Sequence, residues 1–160
     1  MKNKNYLYGL LLYGFIAGFI SPVSAEIRQC DKEFISSDDS HIVYMGRISR
    51  SIPHIVRFTY PGVSILANFE GTSLQMKAKP GSGAFMVEVD DELPYRINFA
   101  ENDSIQTLAE GLPEGTHRVR IMYAIEGYEL KPAFKGFYLD KGCRLAEAPV
   151  LSERRIEFIG

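Results

Sequence analysis

The stretch VSILANFEGTSLQMKAK, residues 63–79, decides the fold because it holds two runs of alternating side chains around one turn. In the first run the odd positions are apolar, and serine and asparagine take the other face, with Leu66 as an apolar exception. The second run alternates leucine, methionine and alanine with glutamine and lysine. Such alternation is typical of strands that bury one face. The stretch therefore predicts strands over 63–69 and 73–79, joined by a tight Glu-Gly-Thr turn.

The same alternation continues along the chain, interrupted by turns rich in glycine, proline and aspartate. It predicts further strands over 55–60, 84–90, 95–99, 105–109, 116–125 and 133–139. About eight short strands without an amphipathic helix predict an all-β fold, a two-sheet antiparallel sandwich of jelly-roll type. An immunoglobulin-like sandwich is the competing interpretation, and the absence of tryptophan and the positions of the cysteines count against it.

The first 25 residues have the features of a secretory signal peptide. Lys2 and Lys4 precede an apolar run over 6–20 that carries no charge, and Val-Ser-Ala at 23–25 offers small residues to a signal peptidase. The run is short for a membrane span, which needs roughly 20 residues. We therefore expect cleavage after Ala25, a secreted or periplasmic protein, and no membrane attachment after cleavage.

The remaining 135 residues suit one domain with one hydrophobic core. Loss of the two signal-peptide lysines leaves 16 Lys and Arg against 20 Asp and Glu, a formal charge of −4. Charges of both signs are spread along the chain. Nucleic-acid binding calls for a clustered basic surface, so we do not expect a nucleic-acid partner.

The two cysteines, Cys30 and Cys143, lie near the two ends of the predicted sandwich. Export permits a disulfide between them, which would close a long loop and, in the chain-entropy model, stabilise the fold by about 4 kcal/mol. The alternative is two unpaired thiols. Their spacing suits neither a zinc site nor a thioredoxin-type redox pair.

Catalytic and metal-binding patterns are not evident. His41, His54 and His117 are far apart in sequence, without an acidic residue at ligand spacing, and are predicted to be surface or loop residues. The Gly-Ser-Gly sequence at 81–83 lacks the spacing of a nucleophile elbow and is interpreted as a hairpin loop. The aspartates at 38–39 and 90–91 suit solvated turns better than calcium ligands. No catalytic residue, metal or cofactor is predicted.

A carbohydrate-binding role remains open, because jelly-roll sandwiches often bind glycans through aromatic side chains. Most aromatics here fall on the alternating apolar face, where core packing is the simpler interpretation. The least clearly buried candidates are Tyr44, Tyr60, Tyr128 and Tyr138.

The last seven residues, RRIEFIG at 154–160, have the pattern of a strand followed by a glycine. Many α/β hydrolytic domains present their nucleophile on a sharp turn directly after a buried strand. The stretch is therefore expected to be the opening strand of a second domain, with an ordinary edge strand as the alternative.

Three segments together resemble carbohydrate esterase family 2, the acetyl xylan esterase type. They are YMGRI at 44–48, PGVSILANFEGTSL at 61–74 and RIEFIG at 155–160. The resemblance implies an N-terminal jelly roll followed by an SGNH-type hydrolase domain that removes acetyl groups from plant polysaccharides. Gly160 matches the glycine that precedes the family's Asp-Ser pair. The resemblance thus implies that the catalytic serine and histidine lie beyond this sequence, and that the chain alone is inactive.

These observations predict a signal peptide over 1–25, a jelly-roll domain over 26–143, and a linker with the first strand of a truncated SGNH domain over 144–160. The expected function is that of an accessory domain of a secreted xylan-type O-deacetylase. Its expected partners are the SGNH hydrolase domain and plant cell-wall polysaccharide. The alternative is a stand-alone carbohydrate-binding module.

Overall fold

A computed structural model describes residues 32–151. The predicted signal peptide, Cys30 and the predicted strand at 155–159 lie outside these residues. The described chain forms eleven strands: β1 Lys32–Ser36, β2 Val43–Met45, β3 Ser49–Ile52, β4 Ile55–Arg57, β5 Ser64–Glu70, β6 Leu74–Ala78, β7 Gly83–Val89, β8 Tyr95–Phe99, β9 Ile105–Ala109, β10 Thr116–Tyr123 and β11 Ala133–Asp140. Within 32–151 no helix is long and apolar enough to cross a membrane.

The strands form two antiparallel sheets, which confirms the predicted all-β sandwich. One sheet has the order β3-β4-β11-β6-β9, and β1 also pairs with β11. The other has the order β2-β5-β10-β7-β8. The eight strands β4 to β11 have the strand order of a jelly roll, with β4, β6, β9 and β11 in one sheet and β5, β7, β8 and β10 in the other. Consecutive strands lie in different sheets except for β7 and β8, which pair with each other.

The core lies between the two sheets and is built from the inward faces of the alternating strands. Its largest fully buried side chains include Tyr123, Phe69, Phe85, Phe99, Phe134 and Phe137. Phe85 and Phe99 meet edge to face at a centroid distance of 5.7 Å, and Phe58 meets Phe85 in the same way at 6.1 Å. Edge-to-face packing places the positive ring edge on the negative ring face, so aromatic pairs contribute beyond their buried area.

All eight strands that the alternation predicts are present, with ends that shift by a few residues. Pro94 immediately precedes β8, which is an edge strand as expected from a residue that cannot donate to a ladder. Strands β1, β2 and β3 were not predicted. All four residues of β3 are exposed, so its sequence carries no buried face that alternation would reveal.

Strand β11 contains a bulge between Phe134 and Gly136, where the register to β6 shifts. Gly136 has a φ of +141° and lies opposite Ser36 of β1. A Cβ at this position would overlap the carbonyl oxygen of Ile35 and approach the Phe34 ring to 3.0 Å. Glycine is thus required here because β1 passes too close for any side chain.

Residues 144–147, the first part of the predicted linker, pack on the sandwich. Leu145 is buried in the core and forms a bridge with Phe69. The backbone N–H of Ala146 donates to the carbonyl of Asn68 at 2.8 Å, and the Asn68 side chain donates to the carbonyl of Glu147 at 2.8 Å. These residues therefore belong structurally to the sandwich.

Candidate functional site

The outer face of the six-stranded sheet carries a row of polar and aromatic side chains across four strands. Phe34 of β1 lies opposite Tyr138 of β11, Tyr138 opposite Gln75 of β6, and Gln75 opposite Thr107 of β9. Residues that face each other directly across antiparallel strands share one side of the sheet. The register therefore places these four side chains in one line across the surface.

Phe34, Tyr138 and Lys77 form a compact cluster within this face. The rings of Phe34 and Tyr138 lie 5.0 Å apart between centroids. The Lys77 ammonium lies 5.0 Å from the Phe34 centroid and 5.5 Å from that of Tyr138, and it donates to the Tyr138 hydroxyl at 3.1 Å. Phe34 is 43% exposed. The cluster offers an apolar ring surface beside hydrogen-bonding groups, a combination that suits a sugar.

A hydrogen-bonded group at the end of the same face fixes the position of β1. The Lys32 ammonium donates to Asp140 at 2.7 Å and also contacts the Ser73 hydroxyl. Ser73 and Thr72 both donate to the Asp140 carboxylate, at 2.8 and 3.2 Å. Burial alone would raise the pKa of Asp140, but these donors and the Lys32 charge hold it below its ordinary value. The Ser73 hydroxyl therefore donates its proton in a hydrogen bond to a carboxylate of low basicity. We interpret Lys32, Thr72, Ser73 and Asp140 as a structural hydrogen-bonded group.

Each histidine has an aspartate partner in the fold, although the sequence shows no acidic residue at metal-ligand spacing from any of them. His41 contacts Asp39 at 2.7 Å, His54 contacts Asp38 at 2.8 Å, and His117 contacts Asp90 at 2.5 Å. The first two pairs are exposed, as expected for loop histidines.

His54 also lies 3.2 Å from the Ser36 hydroxyl, which brings serine, histidine and aspartate together. Both partners approach the same ring nitrogen, Nδ1. A catalytic triad needs the acid on one nitrogen and the nucleophile on the other, so that the base can accept a proton while the acid orients it. The Ser36-His54-Asp38 arrangement lacks this division and cannot act as a triad.

His117 lies in β10 and is 8% exposed, so its predicted position in a loop or on the surface was wrong. Its Nδ1 faces Asp90 at 2.5 Å and its Nε2 faces the Pro113 carbonyl at 2.8 Å. Two acceptors on two nitrogens favour the doubly protonated ring. The hydrogen bond to Asp90, and then that to Pro113, raise the pKa of His117 against the effect of burial.

Asp90 occupies a turn at a φ of +52°, and its carboxylate contacts both the His117 ring and the backbone N–H of Arg118. Although burial alone would raise the pKa of Asp90, the backbone N–H of Arg118 and the His117 side chain hold it below its ordinary value. The N–H of Arg118 donates to this carboxylate at 2.8 Å. This pair links the turn that follows β7 to the first residues of β10.

The four candidate tyrosines have different surroundings. Tyr44 packs edge to face on Phe134, donates to the Ser37 carbonyl at 2.8 Å, and has its pKa raised by burial, so it is a structural residue. Tyr60 is 54% exposed and Tyr128 is 73% exposed. Tyr138 is half-buried within the cluster described above. Three of the four are therefore available on the surface.

Cys143 is half-buried, and burial raises the pKa of its thiol. A Cβ added to Gly71 would lie 2.8 Å from its sulfur, so the turn between β5 and β6 packs directly against it. Cys30 lies outside the described residues, so its disulfide with Cys143 stays a prediction.

The chain belongs to the family described as carbohydrate esterase 2 N-terminal, whose model matches residues 44–149. An acetylxylan esterase / glucomannan deacetylase from Cellvibrio japonicus is 33% identical over 103 residues, which are 64% of this chain and 28% of the relative. The cellulase/esterase CelE from Acetivibrio thermocellus is 31% identical over 132 residues, which are 81% of this chain and 16% of the relative.

Solved structures agree with this assignment. A family two carbohydrate esterase from Cellvibrio japonicus matches with a TM-score of 0.68 and 27% identity, over 77% of this chain and 37% of that one. A family two carbohydrate esterase from Clostridium thermocellum, in complex with cellohexaose, matches with a TM-score of 0.60 and 30% identity, over 71% of this chain and 35% of that one. The chain thus spans well under half the length of these relatives.

Proposed function

We propose that this chain provides the accessory N-terminal β-sandwich of an exported, xylan-type polysaccharide O-deacetylase. The observation that carries the proposal is the family match over 44–149, which covers the sandwich from β2 to β11 and the residues that follow it up to 149. The matched relatives are named esterases and deacetylases of which the sandwich is only a part. The chemistry of such an enzyme then belongs to a partner SGNH hydrolase domain, and residues 154–160 are the beginning of that domain.

The physical role is that of a rigid support beside the hydrolase. A close-packed core with many buried aromatic rings resists deformation, so a surface attached to it keeps its shape. A support of this kind holds one wall of a polysaccharide cleft at a fixed position relative to the catalytic residues. Positioning of substrate contributes directly to rate because misplacement by about 1 Å can cost roughly 100-fold.

Deletion of the sandwich from the Cellvibrio japonicus acetylxylan esterase / glucomannan deacetylase tests this role. We expect the remaining domain to release acetate from acetylated polysaccharide at least about tenfold more slowly, a loss of about 1.4 kcal/mol of transition-state stabilisation. Acetate release per mole of soluble enzyme is the measurement, with circular dichroism as the folding control. Unchanged yield of soluble enzyme together with an unchanged polymer rate would contradict the accessory role.

A second candidate function is direct carbohydrate binding, and the Phe34-Tyr138-Lys77 cluster favours it. Phe34 is exposed and Tyr138 and Lys77 are half-buried on the outer sheet face, and the cluster pairs ring surface with polar groups. If this face binds sugar, removal of one ring should remove much of the affinity, by analogy with the stacking of a nucleobase on an aromatic ring, which is worth about 1–3 kcal/mol.

The second candidate is tested by affinity electrophoresis of the 160-residue chain in gels that contain xylan or mannan. We expect xylan or mannan in the gel to slow the migration of the chain. Tyr138→Ala should weaken the affinity about tenfold or more, the loss expected from one stacking contact. Tyr128→Ala is the matched control, since it removes an exposed tyrosine from a loop elsewhere. Migration that neither polymer slows would discard carbohydrate binding by this face.

A further inference from the structure

A cavity of about 370 Å³ opens where β4 ends, beside the loop that precedes β11. Its lining combines three cationic side chains, Arg47, Arg57 and Lys131, with the ring of Tyr60 and the side of Phe58. The volume is at the lower end of the range for small-molecule sites, about 300–1,000 Å³, and is suited to a single sugar residue.

Backbone hydrogen bonds hold the two walls of this pocket together. The N–H of Gly127 donates to the Thr59 carbonyl at 2.8 Å, and the N–H of Phe58 donates to the Pro132 carbonyl at 3.4 Å. Lys131 has a φ of +49°, and its N–H donates to the Gly127 carbonyl at 2.8 Å. These bonds fix the backbone at Lys131 and at Phe58, the residue next to Arg57.

The charge of the pocket is not balanced within the described chain. Among residues 32–151, no carboxylate forms an ion pair with Arg47, Arg57 or Lys131. Residues 42–69, which supply most of the lining, contain three arginines and no aspartate or glutamate. Glu126 and Glu129 are in the loop that contributes Lys131, but they do not line the cavity.

A concave site with cations and no acid concentrates positive potential and attracts an anionic group. Two guanidinium groups match a planar carboxylate, which each of them can bind through two parallel hydrogen bonds. The Arg47 guanidinium lies 5.3 Å from the Tyr60 ring centroid, yet Tyr60 remains 54% exposed. Ring area is thus available for the apolar face of a sugar next to the cations.

We propose that the Arg47-Arg57-Lys131-Tyr60 pocket binds a carboxylate-bearing sugar residue, such as a uronic acid, on a polysaccharide. This inference rests on the proposed function, because it assumes a polysaccharide partner, and it narrows the class of that partner. The carboxylate accepts hydrogen bonds from Arg57 and Arg47, Lys131 adds charge, and Tyr60 contacts the sugar ring. The site is separate from the Phe34-Tyr138-Lys77 cluster, with which it shares no residue.

Isothermal titration calorimetry of the 160-residue chain tests the inference with two probes that differ in one group. The probes are a glucuronic-acid-bearing xylan and the same xylan after chemical reduction of its carboxyl groups to alcohols. We expect the acidic polymer to bind at least about tenfold more tightly, since loss of one partner of a hydrogen-bonded charge pair removes that much affinity. Added salt should reduce the difference, because it screens exposed charges.

Two variants test whether the preference for the acidic polymer arises in this pocket. Arg57→Gln should bring the affinity for the acidic polymer down to that for the reduced polymer, a loss of about tenfold. Arg96→Gln removes an exposed arginine from β8 on the other sheet and should change neither affinity. If Arg57→Gln fails to fold, as judged by circular dichroism, Lys131→Ala is expected to reduce the preference in the same direction.

Equal affinity for both polymers, or a preference that Arg57→Gln and Lys131→Ala leave unchanged, overturns the inference. Equal affinity that depends on Tyr138 would assign sugar binding to the Phe34-Tyr138-Lys77 cluster instead. Absence of binding to both polymers overturns the inference as well. The accessory role is decided separately, by the deletion in the Cellvibrio japonicus relative, so the two failures are distinguishable.

Discussion

Replacement of Gly136 with alanine is expected to destabilise the sandwich by about 3 kcal/mol or more, because a backbone penalty and a steric overlap act together. Gly136 has a φ of +141°, a conformation that alanine rarely adopts. The new methyl group would overlap the Ile35 carbonyl and contact the Phe34 ring. Relief of that overlap requires β1 to move away from β11, which would break the Lys32–Asp140 ion pair and the pairing over Lys32–Ser36.

Gly142→Ala is the matched control for Gly136→Ala. Gly142 has a φ of +81°, but a Cβ there meets no atom within 4 Å. Gly142→Ala should therefore cost only the penalty of placing alanine at a positive φ, about 1–2 kcal/mol. Urea unfolding of both variants gives the comparison. Equal and small losses for the two variants would show that β1 does not pack against β11 as described.

His117→Ala is expected to cost about 2–4 kcal/mol, because it opens a cavity beside Phe69 and leaves Asp90 without its imidazole partner. The His117 and Phe69 rings lie 5.5 Å apart between centroids. The control is His41→Ala, which removes the exposed ion pair with Asp39 and should cost less than about 1 kcal/mol. Free energies from urea unfolding at pH 6 provide the measurement. A loss at His117 no larger than that at His41 would contradict the buried, doubly bonded ring.

The same histidine should make stability depend on pH. The pKa of His117 is raised in the folded state, so its contribution is complete below its ordinary value, about 6.5, and is lost as the pH rises through the folded pKa. The pKa of Asp90 is lowered, so its contribution is present above about 4 and is lost as the pH falls through the folded pKa. The pair therefore stabilises the fold most between these limits.

Unfolding free energy measured from pH 4 to pH 9 should accordingly decline on the alkaline side of about pH 6.5. In His117→Ala this part of the decline should be absent, whereas His41→Ala should retain it. An alkaline limb that is identical in the wild type and His117→Ala would mean that the ring does not bind an extra proton in the folded state.

The sandwich was predictable because most of its strands bury one face and expose the other. The odd positions over 63–69 are all core residues, as the alternation indicates. Strands β1 to β3 were not predictable in this way, since they are short or exposed on both faces. Their places are decided by tertiary contacts, such as the close approach of β1 to Gly136 of β11.

The candidate sites were less accessible to sequence reasoning. Phe34, Lys77 and Tyr138 come from three strands that are far apart in sequence, and only the sheet register brings them together. The burial of His117 could have been predicted from the sequence, because His117 lies on the same alternating face as the buried residues Val119, Ile121 and Tyr123. The lack of acidic residues over 42–69 was likewise a visible signal, and it marks the walls of the basic pocket.

The proposed role of this sandwich is to support polysaccharide deacetylation by a partner domain and not to perform it. The most direct measurement is acetate release from acetylated xylan by the purified 160-residue chain, followed over time by proton NMR. We expect release at the rate of buffer alone, because Ser36 and Asp38 both approach Nδ1 of His54, so these three residues of the described range 32–151 form no triad. Sustained turnover that Ser36→Ala or His54→Ala abolishes would contradict it.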